Sequence, residues 1–373
     1  MFHLSHKIKN THHGLIWLGI ITTLLLAGCG GEEIKREEVL LAYPPAPEPA
    51  RFYFEGTLRS SYDVKEITGV DKLKIFATGT LGKATGLGKP YGVAVYQGRV
   101  YVTDTVKRAV MMFDVPGKDF KMIGTEGPGA LAKPIGIAVS KDGELYVADN
   151  TAKRIVVFDK DGKFLRAFGN RSILKRPSGV AISPDGLQAY VIDTGGVTTQ
   201  EHHLYIFDAK TGELKKTIGT RGRKNGEFNL ALQVTTAPDG TVYVTDSGNF
   251  RVQAFNPDGS HKLSFGTVGR KMGNFARPKG IATDPEGNIY VVDAAFGNFQ
   301  IFNDKTQLLM FVGQRSQTQG PGLYMLPAGI AVDEDGRVYV VDQFFRKVDI
   351  YRPANVEKDG GYLGGEHLPK DKE

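Results

Sequence analysis

Six aspartates recur at matched positions, Asp104, Asp149, Asp193, Asp246, Asp293 and Asp342, each closing a Tyr-Val-x-Asp run. One carboxylate per repeat raises the idea of a metal ring, but calcium takes about six to eight oxygen ligands and zinc wants imidazole, thiolate or carboxylate converging on one point. Four of the aspartates are followed shortly by arginine: Asp104/Arg108, Asp149/Arg154, Asp246/Arg251 and Asp342/Arg346. An aspartate at a strand end accepts the backbone N–H groups of its turn, and a nearby arginine completes it. That pattern predicts structural caps, so no metal, no cofactor and no catalytic residue is expected. Cys29 is the single cysteine, which excludes an intrachain disulfide.

The surroundings of Cys29 explain its presence. Lys7 and Lys9 make a basic start, Leu15 to Leu26 an apolar run of signal-peptide length, and small residues precede the cysteine. The run is too short for a spanning helix. Leu26-Ala27-Gly28-Cys29 resembles the bacterial lipobox, which implies a diacylated cysteine at the start of a mature, extracytoplasmic chain. Two acyl chains suffice for stable membrane attachment. With Gly30 next, the resemblance extends to lipoproteins sorted to the outer membrane, whether facing periplasm or surface. Residues 1–28 therefore read as a signal peptide. Residues 29–50, with Tyr43-Pro44-Pro45-Ala46-Pro47-Glu48-Pro49, read as an extended tether, because proline fixes φ and removes donors.

The elements that position the aspartates repeat with them. The aspartates stand 45, 44, 53, 47 and 49 residues apart by their numbers. Each unit predicts four strands: Gly-Val/Ile-Ala-Val/Ile, the Tyr-Val-x-Asp strand, one ending in an aromatic (Phe113, Phe158, Phe207, Phe255, Phe302, Tyr351), and one running to a glycine. Turns such as Pro-Asp-Gly186 and Pro-Glu-Gly287 separate the first two. Units of four strands and about 40–50 residues are propeller blades, since a lone sheet leaves both faces unburied and a ring of sheets covers them. The fold class is all-β, a six-bladed β-propeller over residues 72–352, after an N-terminal strand and connection at 51–71 and before a polar tail at 353–373. The sixth copy lacks a fourth strand, and Lys72-Leu73-Lys74-Ile75-Phe76 reads as the N-terminal segment that closes the last blade. Composition agrees with a folded body, at 41% hydrophobic and 24% charged residues.

Pro-x-Gly-Val/Ile-Ala-Val, Gly-x-Val-Tyr-Val-x-Asp, an arginine and an aromatic, recurring from copy to copy, resemble the NHL-repeat family of six-bladed propellers; WD40 propellers are excluded by the missing Trp-Asp pair. Blade four departs with Ala231-Leu232-Gln233 for Pro-x-Gly, which predicts a distorted channel mouth there, and blade five has Asn298 for the arginine. The resemblance implies an enzymatic alternative, a peptidyl-hydroxyglycine lyase or hydrolase whose zinc is held by histidines from several blades. After Cys29 the histidines are His202, His203, His261 and His367: two in one loop, one in an outer turn and one in the tail.

Charge placement favours binding. The face carrying the second-to-third and fourth-to-first connections is rich in cations, while the hairpins of the opposite face are acidic. Summed over blades, such a field would capture an anionic partner. The partner-binding candidates are Arg171, Lys175, Arg176, Arg221, Arg223, Lys224, Arg270 and Lys271, and the residues expected at the channel mouth are Tyr91, Ile135, Ser178, Leu232, Lys279 and Ala328. The blade-three loop Thr194 to Leu204 is a further candidate. The expected function is a non-catalytic binding scaffold in the cell envelope. Its partner would be an envelope protein or anionic envelope ligand rather than nucleic acid, with the membrane reached through lipidated Cys29.

Overall fold

The computed structural model describes residues 40–66, 68–78 and 84–365. Strand-forming Val, Ile, Tyr and Phe alternate with turn residues at each predicted position, and the chain folds into six antiparallel sheets around one axis. Blade one comprises Pro90–Tyr96, Arg99–Asp104, Ala109–Asp114 and Asp119–Ile123, in sequence order from axis to rim, and blades two to five repeat the plan. One apolar cluster fills the space between each pair of neighbouring blades. Between one and two it contains Tyr101, Met112, Ile137, Val147 and Phe158; between five and six, Phe299, Tyr324, Val340 and Tyr351. No blade owns a core, so the ring must close to bury them all.

Closure uses a different segment from the expected one. In the sixth blade Pro327–Val332, Val338–Asp342 and Lys347–Pro353 are joined by Phe52–Leu58, which pairs antiparallel with the third strand, Phe52 opposite Pro353 and Leu58 opposite Val348. Phe52 and Leu58 enter the clusters on either side of that blade. Residues 72–76, expected to be this strand, lie in the α-helix Gly69–Thr78. The reason is local: Thr68 and Asp71 exchange bonds, Thr68 N–H to the Asp71 carboxylate (3.1 Å) and Asp71 N–H to the Thr68 hydroxyl (3.2 Å), a capping box that starts a helix.

The expected tether is likewise shorter than its proline run. Ala42–Tyr43 adds a fifth strand to blade six, and Arg51 N–H donates to Tyr43 O (2.8 Å), so Pro44–Pro49 forms the connection of a hairpin rather than a spacer. The tail is also partly folded. Tyr362 N–H donates to Asp335 (2.6 Å) and Leu363 packs against the blade-six to blade-one cluster, on the hairpin face. Met1–Val39, with the basic start, the apolar run and Cys29, lies outside the described residues, as do His367 and the end of the tail.

Candidate functional site

All six repeat aspartates are buried, none more than 1% exposed. Asp104 accepts the N–H groups of Gly88 and Lys89, which lead into its blade, and those of Val106 and Lys107 in its own turn. Asp149, Asp193, Asp293 and Asp342 repeat the arrangement. Their lone pairs are committed, as the cap reading expects. The arginine part of that reading holds at one position: Arg251 Nε pairs with Asp246 Oδ2 at 2.9 Å. The register explains the rest. The residue paired with Asp104 is Ala109 and with Asp342 is Lys347, so Arg108 and Arg346 stand one place earlier, in left-handed turn positions at φ 53°. Arg154 does pair in register with Asp149, but its guanidinium donates to Ala130 O (2.9 Å).

These caps build the channel mouth. The backbone N–H held by each aspartate belongs to the residue before the inner-strand proline: Lys89, Lys133, Arg176 and Arg277 in blades one, two, three and five, at 2.8–3.0 Å. All four side chains are exposed. One step inward come Tyr91, Ile135, Ser178, Leu232, Lys279 and Ala328. There the inner strands touch, because a Cβ on Gly92 would lie 2.6 Å from Ile135 O, one on Gly280 2.5 Å from Ala328 O, and one on Gly329 2.5 Å from Tyr91 O. Glycine is thus required by the approach of neighbouring backbones. Blade four's departure is accommodated rather than disruptive, with Gln233 buried and its Nε2 donating to Ser178 O of blade three (3.2 Å). Below this ring lies an axial cavity of about 200 Å³ lined by Val93, Ile137, Val180, Gln233, Ile281 and Ile330.

Lys279 is the one cation within the ring. Burial, with Arg277 and Lys89 nearby, lowers its ammonium to about 8, against the opposing pull of Asp342. Burial raises the Tyr91 phenol to about 12. Around blades two and three, burial and the charges of Arg176, Arg171 and Lys133 hold Lys153 below the usual lysine range despite Asp193.

Further out, two connections share one design. In 220–228 and 267–275 the N–H groups of Phe228 and Phe275 donate to Thr220 O and Thr267 O, and those of Gly226 and Gly273 to the buried side chains of Gln253 and Gln300. Arg223 and Lys224 thereby occupy the same turn positions as Arg270 and Lys271, all four exposed. Arg221 precedes them and is half-buried. Arg171, Lys175 and Arg176 lie in the connection from blade two to three, where Lys175 faces Glu201 at 3.7 Å. The mouth and the two rim loops are separate zones of one face.

The ring before the proline was half-missed in the sequence. Its signal stands there as Lys-Pro90, Lys-Pro134, Arg-Pro177 and Arg-Pro278. Exposed Val106 and Phe344, each two residues after a repeat aspartate, add apolar points to the same face. The blade-three loop folds around buried His202, whose Nε2 meets Gly196 O (3.0 Å) and whose Nδ1 accepts Leu230 N–H (3.2 Å). His203 Nδ1 faces Gly219 O, and His261 lies in the outer strand of blade four, so these three do not converge.

Comparison with known proteins agrees with this architecture. The NHL repeat model matches residues 131–158, 228–255 and 275–302. No curated protein matches the chain in sequence. Among solved structures, similar ones include a protein of unknown function from Bacteroides thetaiotaomicron (18% identity, TM-score 0.58, covering 80% of this chain and 76% of that one). Another is an auxiliary nutrient binding protein from the same organism (12%, 0.56, covering 73% and 71%). A third is a streptogramin B lyase (16%, 0.52, covering 71% and 94%). At these identities the likeness concerns the fold alone. With matching repeats in blades two, four and five and the ring plan in all six, the chain is a six-bladed β-propeller that carries NHL repeats.

Proposed function

We propose that this protein is a non-catalytic recognition scaffold, held outside the cytoplasm through lipidated Cys29, whose basic face binds an anionic partner of the cell envelope. The observation that carries the reading is the unequal distribution of charge between the two faces. On the hairpin face cations and carboxylates are interspersed: Arg99 pairs with Asp114 and Asp161, Arg166 with Glu144, Lys262 with Asp239 and Arg337 with Glu55, while Lys141, Lys160, Lys210 and Lys305, without an ion pair among the described residues, stand in turns that also hold Asp142, Asp161, Asp208 and Asp304. On the opposite face Lys89, Lys133, Arg176, Arg223, Lys224, Arg270, Lys271 and Arg277 have no ion-pair partner among the described residues, and the pairs present there are Lys175–Glu201, Arg251–Asp246 and Lys347–Asp349. Uncompensated charge spread over a rigid ring leaves a field that an anionic surface can satisfy. Locked turns keep those charges in place at little ordering cost.

Cross-linking in intact cells, followed by identification of the captured molecule, tests the reading. Reversing Arg221, Arg223, Lys224, Arg270 and Lys271 to glutamate is expected to leave the thermal transition in place and to abolish capture. Undiminished capture by that variant refutes this surface as the binding face.

A further inference from the structure

Side chains of the outermost strand in each blade turn alternately inward and to solvent. At exposed positions of these strands stand Lys121 in blade one, Leu165 and Ala167 in blade two, Lys215 and Thr217 in blade three, and Lys262 and Ser264 in blade four. Blade five departs from the others. Its outer strand Leu308–Val312 reads Leu-Leu-Met-Phe-Val without one polar residue, and Leu309 and Phe311 are 40% and 48% exposed. An outermost strand that is apolar on both faces is a liability unless something covers it.

That strand lines an open groove of about 670 Å³ together with Tyr43, Pro44 and Pro45 of the N-terminal hairpin and with exposed Met272. Charge borders the apolar lining. Arg51 and Glu48 line the groove, and Lys271 and Arg315 are the chain neighbours of its residues Met272 and Gln314, so exposed cations outnumber the carboxylate. What covers the groove follows from where the chain leaves it. Leu41, exposed and two residues before Tyr43, lies twelve positions after Cys29 by number. Twelve residues reach at most about 40 Å, less than the roughly 50 Å across a folded body of this size. An anchor at Cys29 therefore holds this rim, and not the opposite side of the ring, beside the bilayer.

We propose that this groove is the surface on which the propeller rests against the lipid bilayer, with Leu309, Phe311 and Met272 entering the boundary between headgroups and acyl chains and Arg51, Lys271 and Arg315 meeting anionic headgroups. Apolar side chains rimmed by cations are the chemistry that binds such an interface. The proposal rests on the lipid-anchor reading and adds to it the side of the ring that faces the membrane.

Tryptophan quenching tests this. Trp17 is the single tryptophan of the sequence, so Trp17→Phe gives a background in which one fluorophore can be placed. The full chain in that background is reconstituted into vesicles of phosphatidylglycerol and phosphatidylcholine with brominated or plain acyl chains. Phe311→Trp is expected to lose about half its emission on the brominated vesicles, because an indole at the interface lies within reach of the bromines. Ala167→Trp, at the matching exposed position of blade two across the ring, should lose almost none. Equal quenching of the two, or none in either, overturns the groove as the membrane contact. Both positions are exposed, and an unchanged thermal transition verifies the fold of each variant. Absence of quenching with a dimer in sedimentation that Phe311→Lys dissociates assigns the groove to a second copy and also overturns the proposal. Mass spectrometry of the purified protein separates the two readings. Acyl mass without quenching at position 311 overturns the groove and leaves the anchor standing, whereas quenching there without acyl mass supports the groove and removes the anchor.

Discussion

Asp293 accepts the backbone N–H of Arg277 at 3.0 Å, and the same relationship ties Asp104 to Lys89 and Asp149 to Lys133. The repeat carboxylate that looked like a metal ligand is the device that fixes the mouth cations. Replacing Asp293 with alanine orphans the N–H groups of Ala276, Arg277, Ala295 and Phe296. Each buried unsatisfied group costs about 1–3 kcal/mol. The variant is expected to lose several kcal/mol in denaturant unfolding and to bind its partner less well under conditions where it remains folded.

Lys279 should cost the fold stability while it is charged. Its ammonium is lowered to about 8 chiefly by burial, with Arg277 and Lys89 adding to the effect and Asp342 opposing it. A depressed lysine costs stability while it is charged, and the cost is relieved as pH rises through about 8 toward the unfolded value. Lys279→Met is therefore expected to raise stability at pH 7 by about 1–3 kcal/mol, judged from a shift of this direction and size. Wild-type stability should rise between pH 7 and 9 relative to that variant, which denaturant unfolding at the two pH values checks.

The seam of the ring carries a buried ion pair. Arg337 is fully buried and donates to Glu55 of the closing strand (2.8 Å) and to Gly360 O of the tail (2.9 Å). Breaking a buried pair on one side costs about 3–5 kcal/mol, because the other charge stays behind. Arg337→Met should destabilise by that amount, and pairing it with Glu55→Leu should recover part of the loss. Deleting 69–78 should cost far less than deleting 52–58, since helix residues Val70, Leu73 and Phe76 are exposed while Phe52 and Leu58 are buried.

Asp333, on the hairpin face, has its carboxyl raised to about 7. Burial is the main cause and Asp335 adds to it, while Tyr339 O–H, Arg337 N–H and the Arg337 charge oppose it. A raised carboxyl contributes stability that is complete below its unfolded value near 4 and is lost as pH rises through about 7. The difference in melting temperature between wild type and Asp333→Asn should shift against the wild type between pH 4.5 and 7.5. A constant difference would contradict the assignment.

The ring was legible because its signal is written once per blade: Tyr-Val-x-Asp, the hairpin glycines and the apolar alternation all agree. Closure was misread where two patterns competed. Lys72-Leu73-Lys74-Ile75-Phe76 alternates like a strand, but Thr68-x-x-Asp71 opens a helix ahead of it. Phe52–Leu58 was legible as a strand without its role, because pairing with Lys347–Pro353 across almost the whole chain leaves no local mark. The Asp–Arg pairing failed by one residue of register at Arg108 and Arg346. Site residues were legible as charges and as mouth positions. Their lack of ion-pair partners arises only when distant blades meet.

Hydrogen exchange on the protein bound to isolated envelope membranes, compared with the free protein, reads the binding face directly. The account predicts slowed exchange in 220–228 and 267–275 and at the turns following Asp104 and Asp342, with the hairpins around Gly143, Gly186 and Gly240 unchanged. Protection confined to those hairpins, or none on the basic face, would contradict it.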